Sequence, residues 1–446
     1  MTESDVIAAI ATGGGRAAIG IVRLSGPRLR RFMQPLFGRA IAPRSAVLTD
    51  FLDFGGQALD TGIALYFPAP QSYTGEDVLE LQGHGGSAVL QVLMRRCLGL
   101  GARLAQPGEF SKRAFLNGKL DLAQAESIAD LIEAGSEAAA RAAMRSLKGE
   151  FSQEIQTLVS ELTTLRVQIE AGIDFPEEDT VTHDPPGIAH TLVALQDKLG
   201  AIQKRSTAGN LLREGIQVVL IGPPNVGKSS LLNRLAAAEV AIVTEVPGTT
   251  RDTIRSEILL EGMTLQLVDT AGLRETQDTV ERLGIERARK AVQVADLLLL
   301  VDDAEREKGG DQHWALAEIP AAARRIRVLN KIDLVQREPA KLELGGITEI
   351  RVSAKTGAGL PLLRSTILEA AGRVGDIEGV FLARERHLDA LARAATHLQG
   401  AQHSMNQVDL AAEDLRLAQL ALSEITGEFT ADDLLGEIFF KFCLGK

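Results

Sequence analysis

Apolar and polar positions alternate along this chain in different ways, and each predicts a different kind of element. In residues 1 to about 118, β-like runs such as Ala17-Ala18-Ile19-Gly20-Ile21-Val22-Arg23-Leu24 and Gly62-Ile63-Ala64-Leu65-Tyr66-Phe67 read as strands. Val78-Leu79-Glu80-Leu81 reads as another, after a turn-rich stretch from Pro68 to Gly75. Gly83-His84-Gly85-Gly86-Ser87 then opens an apolar helix from Val89 to Leu98. The region is mixed α/β. His84 has two readings, a catalytic group or a hydrogen-bonded turn residue.

From about 119 the apolar spacing changes to three and four. Met144, Leu147, Phe151, Ile155, Leu158, Leu162, Leu165 and Ile169 fall on one stripe, which predicts a single long helix. A second stripe, Ile188, Leu192, Leu195, Leu199 and Ile202, follows the breaker between Asp174-Phe175-Pro176 and Pro185-Pro186-Gly187. Such stripes form the core of a helical bundle or, alternatively, a dimer seam. The pattern resumes late in the chain with Leu388, Leu391, Ala395 and Leu398, then Leu415, Ala418, Leu422 and Ile425, and finally Leu434, Ile438 and Phe442. A bundle over 119–213 and 374–446 is therefore expected to be interrupted by a domain inserted at 214–373, a topology that close surface termini permit.

The insertion opens with an apolar run, Ile216 to Ile221, and breaks into Gly222-Pro223-Pro224-Asn225-Val226-Gly227-Lys228-Ser229-Ser230. The spacing G-x-x-x-x-G-K-S between strand and helix is that of a phosphate-binding loop, whose N–H groups and helix terminus attract anionic oxygens. Lys228 supplies a mobile cation and Ser229 a hydroxyl for Mg²⁺. A second strand ends in Asp269-Thr270-Ala271-Gly272, where Asp269 would reach Mg²⁺ through water and the Gly272 N–H the γ-phosphate. A third ends in Asn330-Lys331-Ile332-Asp333. The Asp333 carboxylate can accept from N1–H and the 2-amino group of guanine, a pair that adenine does not offer. Ser353-Ala354-Lys355 would complete the base pocket with a backbone N–H to the guanine carbonyl. Between these motifs Gly248-Thr249-Thr250-Arg251-Asp252 occupies the position of a switch loop, with Thr250 the expected ligand of Mg²⁺ and γ-phosphate. Leu273 follows Gly272, where a water-positioning glutamine would stand in Ras-like enzymes, so another polar group must orient water. The acidic stretch Glu275 to Glu281 is the nearest source of one.

Composition narrows the setting. At 446 residues the chain has room for about three domains. Two cysteines, Cys97 and Cys443, are too few for a disulfide framework and point to a reducing cytosol. With no signal-like N-terminus and no apolar run near the roughly 20 residues of a membrane helix, a cytoplasmic protein without a membrane contact is expected. A formal charge of -11 argues against non-specific nucleic-acid binding as the main activity.

The set G-P-P-N-V-G-K-S-S, P-G-T-T-R-D, D-T-A-G-L-R-E, N-K-I-D, S-A-K and the ending Phe442-Cys443-Leu444-Gly445-Lys446 resembles the MnmE (TrmE) family. The stretches Gly75-Glu76-Asp77-Val78-Leu79-Glu80-Leu81-Gln82-Gly83-His84-Gly85-Gly86 and Pro107-Gly108-Glu109-Phe110 look like that family's folate-binding domain, so the likeness spans the chain. It implies a multidomain α/β plus all-α fold: an N-terminal α/β tetrahydrofolate-binding and dimerisation domain over 1–118, a helical domain, and an inserted Ras-like P-loop GTPase domain. It implies a K⁺-activated GTPase that works as a homodimer, and as a heterotetramer with a flavin-dependent MnmG-type partner carrying FAD. The complex installs an aminomethyl-type or carboxymethylaminomethyl group at C5 of the wobble uridine of certain tRNAs, using a one-carbon unit of 5-formyl- or 5,10-methylene-tetrahydrofolate.

The resemblance also assigns residues. Asn225, the carbonyls of Thr244 and Val246, and the Thr249 side chain would bind K⁺, and the whole stretch Thr244-Glu245-Val246-Pro247-Gly248-Thr249-Thr250 would belong to the GTP site. Glu281 matches the water-orienting glutamate. Arg23, Glu80, Lys119 and Lys446 match the folate site. Cys443 would act in the one-carbon chemistry or, behind Phe439, Phe440 and Phe442, serve as a buried apolar residue. Two rivals are a regulatory GTPase of ribosome or RNA assembly without modification chemistry, and a folate-dependent aminomethyltransferase with an incidental nucleotide domain. The first would be expected to bring a basic RNA-binding module, and none is evident in this acidic sequence. Five ordered nucleotide motifs argue against the second.

Overall fold

The structure, a computed structural model, describes residues 5–13, 15–174, 185–237, 255–260, 263–269, 292–293, 295–305, 324–370, 379–428, 438–439 and 442. The chain forms two compact units, one of residues 1–129, 146–196 and 390–446, the other of 130–145 and 197–389.

In the first unit, β1 (Ile7–Ile10), β2 (Ile19–Gly26), β3 (Val47–Leu52), β4 (Ala58–Phe67), β5 (Asp77–His84) and β6 (Arg103–Leu104) make one sheet in the order β3-β4-β5-β2-β1-β6. All pairings are antiparallel except β1 with β6. Helices α1 (Arg30–Phe37) and α2 (Ser87–Gly99) contribute Phe32, Met33, Leu36, Leu90, Leu93 and Cys97 to a core shared with Val22, Leu24, Leu79 and Leu81 of the strands. Alternation along β2 and β5 puts Arg23 and Glu80 on the face turned away from that core. Burial pushes the Cys97 thiol up to about 12, so this cysteine is an inert core residue.

Helix α3 (Glu109–Leu116) follows, then α4 (Leu122–Glu133). The expected single helix from Met144 to Ile169 is instead two, α5 (Glu137–Leu147) and α6 (Glu150–Asp174). Gly149 between them stands at φ +85°, a conformation glycine adopts without a Cβ clash. Gln124 Nε2 donates to the Leu147 carbonyl at 3.0 Å and satisfies the end of α5. Met144, the first position of the expected stripe, is 41% exposed, whereas Phe151, Ile155, Leu158, Leu162, Leu165 and Ile169 are buried. The C-terminal end of the chain packs back here. Phe439 and Phe442 join Leu122 and Ala125, and a Cβ on Gly108 would lie 2.4 Å from the Phe439 carbonyl.

Beyond α7 (Pro185–Glu214) the second unit carries β7 (Ile216–Ile221), α8 (Lys228–Ala237), β8 (Arg255–Leu260), β9 (Met263–Asp269), β10 (Leu297–Asp303), β11 (Arg324–Asn330), β12 (Lys341–Leu344), β13 (Ile347–Arg351) and α9 (Leu360–Ala370). The strand order is β12-β13-β11-β10-β7-β9-β8, parallel from β13 to β9 with an antiparallel strand at each edge. The central strands are continuous apolar runs because both faces are covered; Leu297 to Val301 are all buried. In such sheets ligands bind beyond the carboxyl ends of the strands. Those ends are Gly222 after β7, Asp269 on β9, Asp303 on β10, Asn330 on β11 and Ser353 after β13.

The segments flanking this sheet in sequence belong to its packing: Ala142, Ala143, Ala208, Leu212, Val380 and Leu382 share its core. The helical pattern ends in α10 (Glu385–His403) and α11 (Val408–Thr426). In the first unit Arg166 of α6 donates to Gln419 Oε1 of α11 at 2.7 Å, and Gln196 of α7 to the Leu398 carbonyl of α10 at 3.1 Å. Among the described residues, no helix is long and apolar enough to cross a membrane.

Candidate functional site

The phosphate loop is shaped by what its glycines exclude. A Cβ on Gly222 would lie 2.2 Å from the Val301 carbonyl, and one on Gly227 2.4 Å from Asn330 Nδ2. Asn225 at φ +62° and Gly227 at φ +93° turn the backbone back so that α8 begins at Lys228. Val226 between them is buried and anchors the loop in the core, while Asn225, Ser229 and Ser230 stay exposed. The Lys228 ammonium folds over the loop and donates to the carbonyls of Gly222 at 2.7 Å and Pro223 at 2.9 Å. Cradle, inward cation and helix N-terminus fit a phosphate chain, and the Ser229 hydroxyl in the first turn suits a divalent cation beside it.

The second pocket wall is built from three strand ends. Asn330 is 2% exposed; its Nδ2 donates to the Val226 carbonyl at 2.8 Å and its Oδ1 accepts from the Ala354 N–H at 2.9 Å. Lys331, at φ +66°, pairs with Asp303 at 2.7 Å. Buried Ser353 donates from Oγ to Asp333 Oδ1 at 2.6 Å, which orients the carboxylate that the N-K-I-D string offers to a base. Lys355 is exposed beside it. The N-K-I-D and S-A-K strings, 20 residues apart between Asp333 and Ser353, are thus brought together against the phosphate loop. Asp269 ends β9 in parallel register with Leu220 of the phosphate-loop strand. Thr244, Glu245, Val246, Pro247, Gly248, Thr249, Thr250, Thr270, Ala271, Gly272 and Glu281 lie outside the described residues, as do Cys443 and Lys446.

In the first unit Arg23 and Glu80 are direct cross-strand partners, with Arg23 Nε to Glu80 Oε1 at 2.9 Å. Gln82 Nε2 holds the other carboxylate oxygen at 2.9 Å. The Arg23 guanidinium lies 5.7 Å from the Tyr73 ring centroid and 5.9 Å from that of Phe110. Tyr73 shares a 2.7 Å hydrogen bond with Ser111, and burial raises its phenol above the ordinary value. Lys119 reaches the same loop two residues on, since a Cβ on Gly75 would lie 3.3 Å from Lys119 Cγ. An arginine, a carboxylate and two aromatic rings in one half-buried patch suit a planar heterocycle with hydrogen-bonding edges. Gln82 and Tyr73 escaped the sequence reading, although Gln82 stands two residues from Glu80 on the same strand face.

This patch is braced from below. Arg113, 8% exposed in its side chain, reaches Glu109 at 3.0 Å, Glu76 at 3.0 Å and Asp5 at 2.8 Å. Arg103 closes the ring through Glu109 Oε2 at 2.8 Å and through Asp5. Burial acts to raise the Glu109 carboxyl, but hydrogen bonds from Arg103, the Gln106 N–H and Arg113 outweigh it and hold the group below its ordinary range. At the end of the sheet, His84 bonds through Nδ1 to Asp60 Oδ1 at 2.7 Å, and its backbone N–H donates to Asp60 Oδ2 at 2.8 Å. His84 is thus a hydrogen-bonded residue at the end of β5 and not in a turn, with the side chain 74% exposed.

The comparisons with known proteins agree with one another. Residues 6–119 match the family model described as GTP-binding protein TrmE N-terminus, and residues 122–443 the MnmE helical domain. A protein named tRNA modification GTPase MnmE from Chromobacterium violaceum is 53% identical over 441 residues, covering 99% of this chain and 98% of that one. Relatives of the same name from Azoarcus sp. and Nitrosomonas eutropha are each 55% identical. The first covers 99% of this chain and 98% of its own length, and the second 100% of both. With a phosphate loop, a braced N-K-I-D aspartate and full-length likeness of this degree, the chain belongs to the MnmE (TrmE) family of tRNA modification GTPases.

Proposed function

We propose that the chain is a cytoplasmic, K⁺-activated GTPase that hydrolyses GTP to drive aminomethyl-type modification at C5 of the wobble uridine of certain tRNAs. It would act as a homodimer and with a flavin-dependent MnmG-type protein that carries FAD. The domain reading that goes with it is 1–118 for folate binding and dimerisation, 119–213 with 374–446 for the helical domain, and 214–373 for the GTPase.

The observation that carries the nucleotide half is the Asn330 contact pair, which supports one continuous pocket for base and phosphates. A guanine carbonyl entering it would share or take the Ala354 N–H from Asn330 Oδ1, while Asp333, held by Ser353, would accept from the base edge. Lys228 would exchange its two loop carbonyls for phosphate oxygens. Ser229 and Thr250 would hold Mg²⁺, and Asn225, Thr244, Val246 and Thr249 K⁺; when bound, these cations offset charge that develops on the phosphates. Glu281 would orient the attacking water in place of the missing glutamine.

The folate half rests on the patch around Arg23. Glu80 would turn its carboxylate to the amino-pyrimidinone edge of a tetrahydrofolate derivative, 5-formyl or 5,10-methylene, with Gln82 orienting it and Tyr73 and Phe110 flanking the ring. Phe439 and Phe442 pack on Gly108, next in sequence to Glu109 and Phe110, which supports a role for the following Cys443 and Lys446 at this patch. Nucleoside mass spectrometry of tRNA tests the reading as a whole. A strain lacking the protein should lose the C5-modified wobble uridine and regain it on complementation, whereas unchanged tRNA with altered ribosome profiles would favour the assembly-GTPase alternative.

A further inference from the structure

Arg234 stands on α8, the helix whose first turn holds Lys228 and Ser229, and its side chain crosses to the base-facing loop. Its Nε donates to the Ala354 carbonyl at 3.1 Å and its Nη2 to the Lys355 carbonyl at 2.8 Å. The peptide unit is planar, so fixing the Ala354 carbonyl also fixes the direction of the Lys355 N–H, which points the opposite way. A cationic donor on the carbonyl polarises that N–H as well. The preceding peptide is held from the other side, because the Ala354 N–H donates to Asn330 Oδ1. Both peptide planes flanking the Ala354 Cα are therefore clamped, one by the strand end of β11 and one by the phosphate-loop helix.

We propose that Arg234 is a positioning residue for base selection. By clamping the peptide on the far side of the Ala354 Cα it aims the Ala354 N–H, the donor that would meet the 6-oxo group of a purine nucleotide, and it links that recognition to the helix that carries the phosphate loop. The inference rests on the guanine reading above and adds a residue that no sequence motif singled out. Nothing in G-x-x-x-x-G-K-S or S-A-K asks for an arginine six positions after the lysine.

The test uses the full chain and two ligands that differ at one atom, GDP and 6-thio-GDP, which keeps N1–H and the 2-amino group but replaces the carbonyl oxygen by a poor acceptor. Arg234→Ala should weaken GDP about tenfold, the loss expected of one part-buried and one exposed hydrogen bond from a charged donor, and 6-thio-GDP by no more than about twofold. Arg234→Lys, able to serve one carbonyl as a point charge, should fall between native and alanine for GDP. An equal loss for both ligands would reduce Arg234 to a structural brace, and no loss for either would leave it without a role; each overturns the proposal. If the native chain fails to prefer GDP over ADP, the guanine reading itself falls. If it does prefer GDP and the two-ligand split is absent, only the role of Arg234 falls.

Discussion

Asn330 Nδ2 donates to the Val226 carbonyl at 2.8 Å, so the end of the base-reading strand is fastened to the middle of the phosphate loop. The two residues are 104 positions apart, and both are buried. On the proposed reading base and phosphate recognition are one construction, so damage at either end should be felt at the other.

Asn330→Ala strips a partner from the Val226 carbonyl and from the Ala354 N–H at once. Leaving buried polar groups unpaired costs about 1 to 3 kcal/mol each. GDP affinity measured by titration should drop by tenfold or more, and the loss should extend to a pyrophosphate-only ligand because the loop itself loosens. Unchanged pyrophosphate affinity would mean that the loop does not depend on Asn330.

Asp130 is the hub of a buried charge cluster in the second unit. Its Oδ1 accepts from Arg213 Nε at 3.0 Å and from Arg384 Nη2 at 2.7 Å, with the carboxylate side chain 4% exposed. Arg213 lies three residues before β7 and Arg384 just before α10, so one carboxylate ties the outgoing and returning chain. Asp130→Asn removes the buried carboxylate that two guanidiniums share, while Arg213 keeps its exposed neighbour Glu214. The cost should be about 3 kcal/mol, the lower end of the range for a broken buried pair because Arg213 is 26% exposed. Urea unfolding measures it; a shift below about 0.5 kcal/mol, the size of an exposed pair, would remove Asp130 from the framework.

The Asp5, Glu109, Arg103 and Arg113 ring makes the first unit sensitive to acid. Burial raises the carboxyls of Asp5 and Glu109, and the two arginines, joined at Glu109 by the Gln106 N–H, lower them by more, so both stand below their ordinary 3.8 and 4.5. A carboxylate whose folded value is depressed contributes its stability in full above its unfolded value and loses it as pH falls through the folded one. Stability should therefore decline from about pH 4.5 downward as these groups take up protons. Glu109→Gln should be less stable at neutral pH and show a flatter decline on acidification. Parallel pH profiles for the variant and the native chain would contradict this.

K⁺ dependence is checked by GTP turnover in KCl and NaCl at matched ionic strength, and the rate should be strongly higher in KCl. Glu281→Ala should lower that rate by about 10²-fold, as for a lost water-orienting group, with nucleotide affinity nearly unchanged. Equal rates in the two salts would remove the cation from the account.

The nucleotide site was legible in the sequence because its chemistry is local: a strand, a glycine turn and a helix must be contiguous for backbone N–H groups to converge on phosphate. Asn330 meets the phosphate-loop residue Val226, and Asp333 meets Ser353, at the strand ends where those motifs lie. The patch around Arg23 was legible only through resemblance, since the Arg23–Glu80 pairing depends on the register of β2 against β5, 57 residues apart. Arg113 and Arg234 were invisible for the same reason, because an arginine on a helix says nothing about the distant carboxylate or carbonyl it will meet. The helix predicted through Met144 and Leu147 failed at Gly149, whose positive φ turns the chain where Gln124, distant in sequence, satisfies the Leu147 carbonyl. The short strands β1, β3 and β12 carry too few residues to show a period.

The most direct measurement is the nucleotide preference of the native chain and of Asp333→Asn. The native chain should bind and hydrolyse GTP and ignore ATP. The variant should lose about 2 to 4 kcal/mol of GTP affinity, because an amide donor now faces the base edge, and should gain affinity for xanthosine triphosphate, whose 2-oxo group can accept from that amide. A native chain that binds ATP and GTP equally, or a variant that keeps native GTP affinity, would contradict the assignment of Asp333 and with it the guanine site on which the proposed function stands.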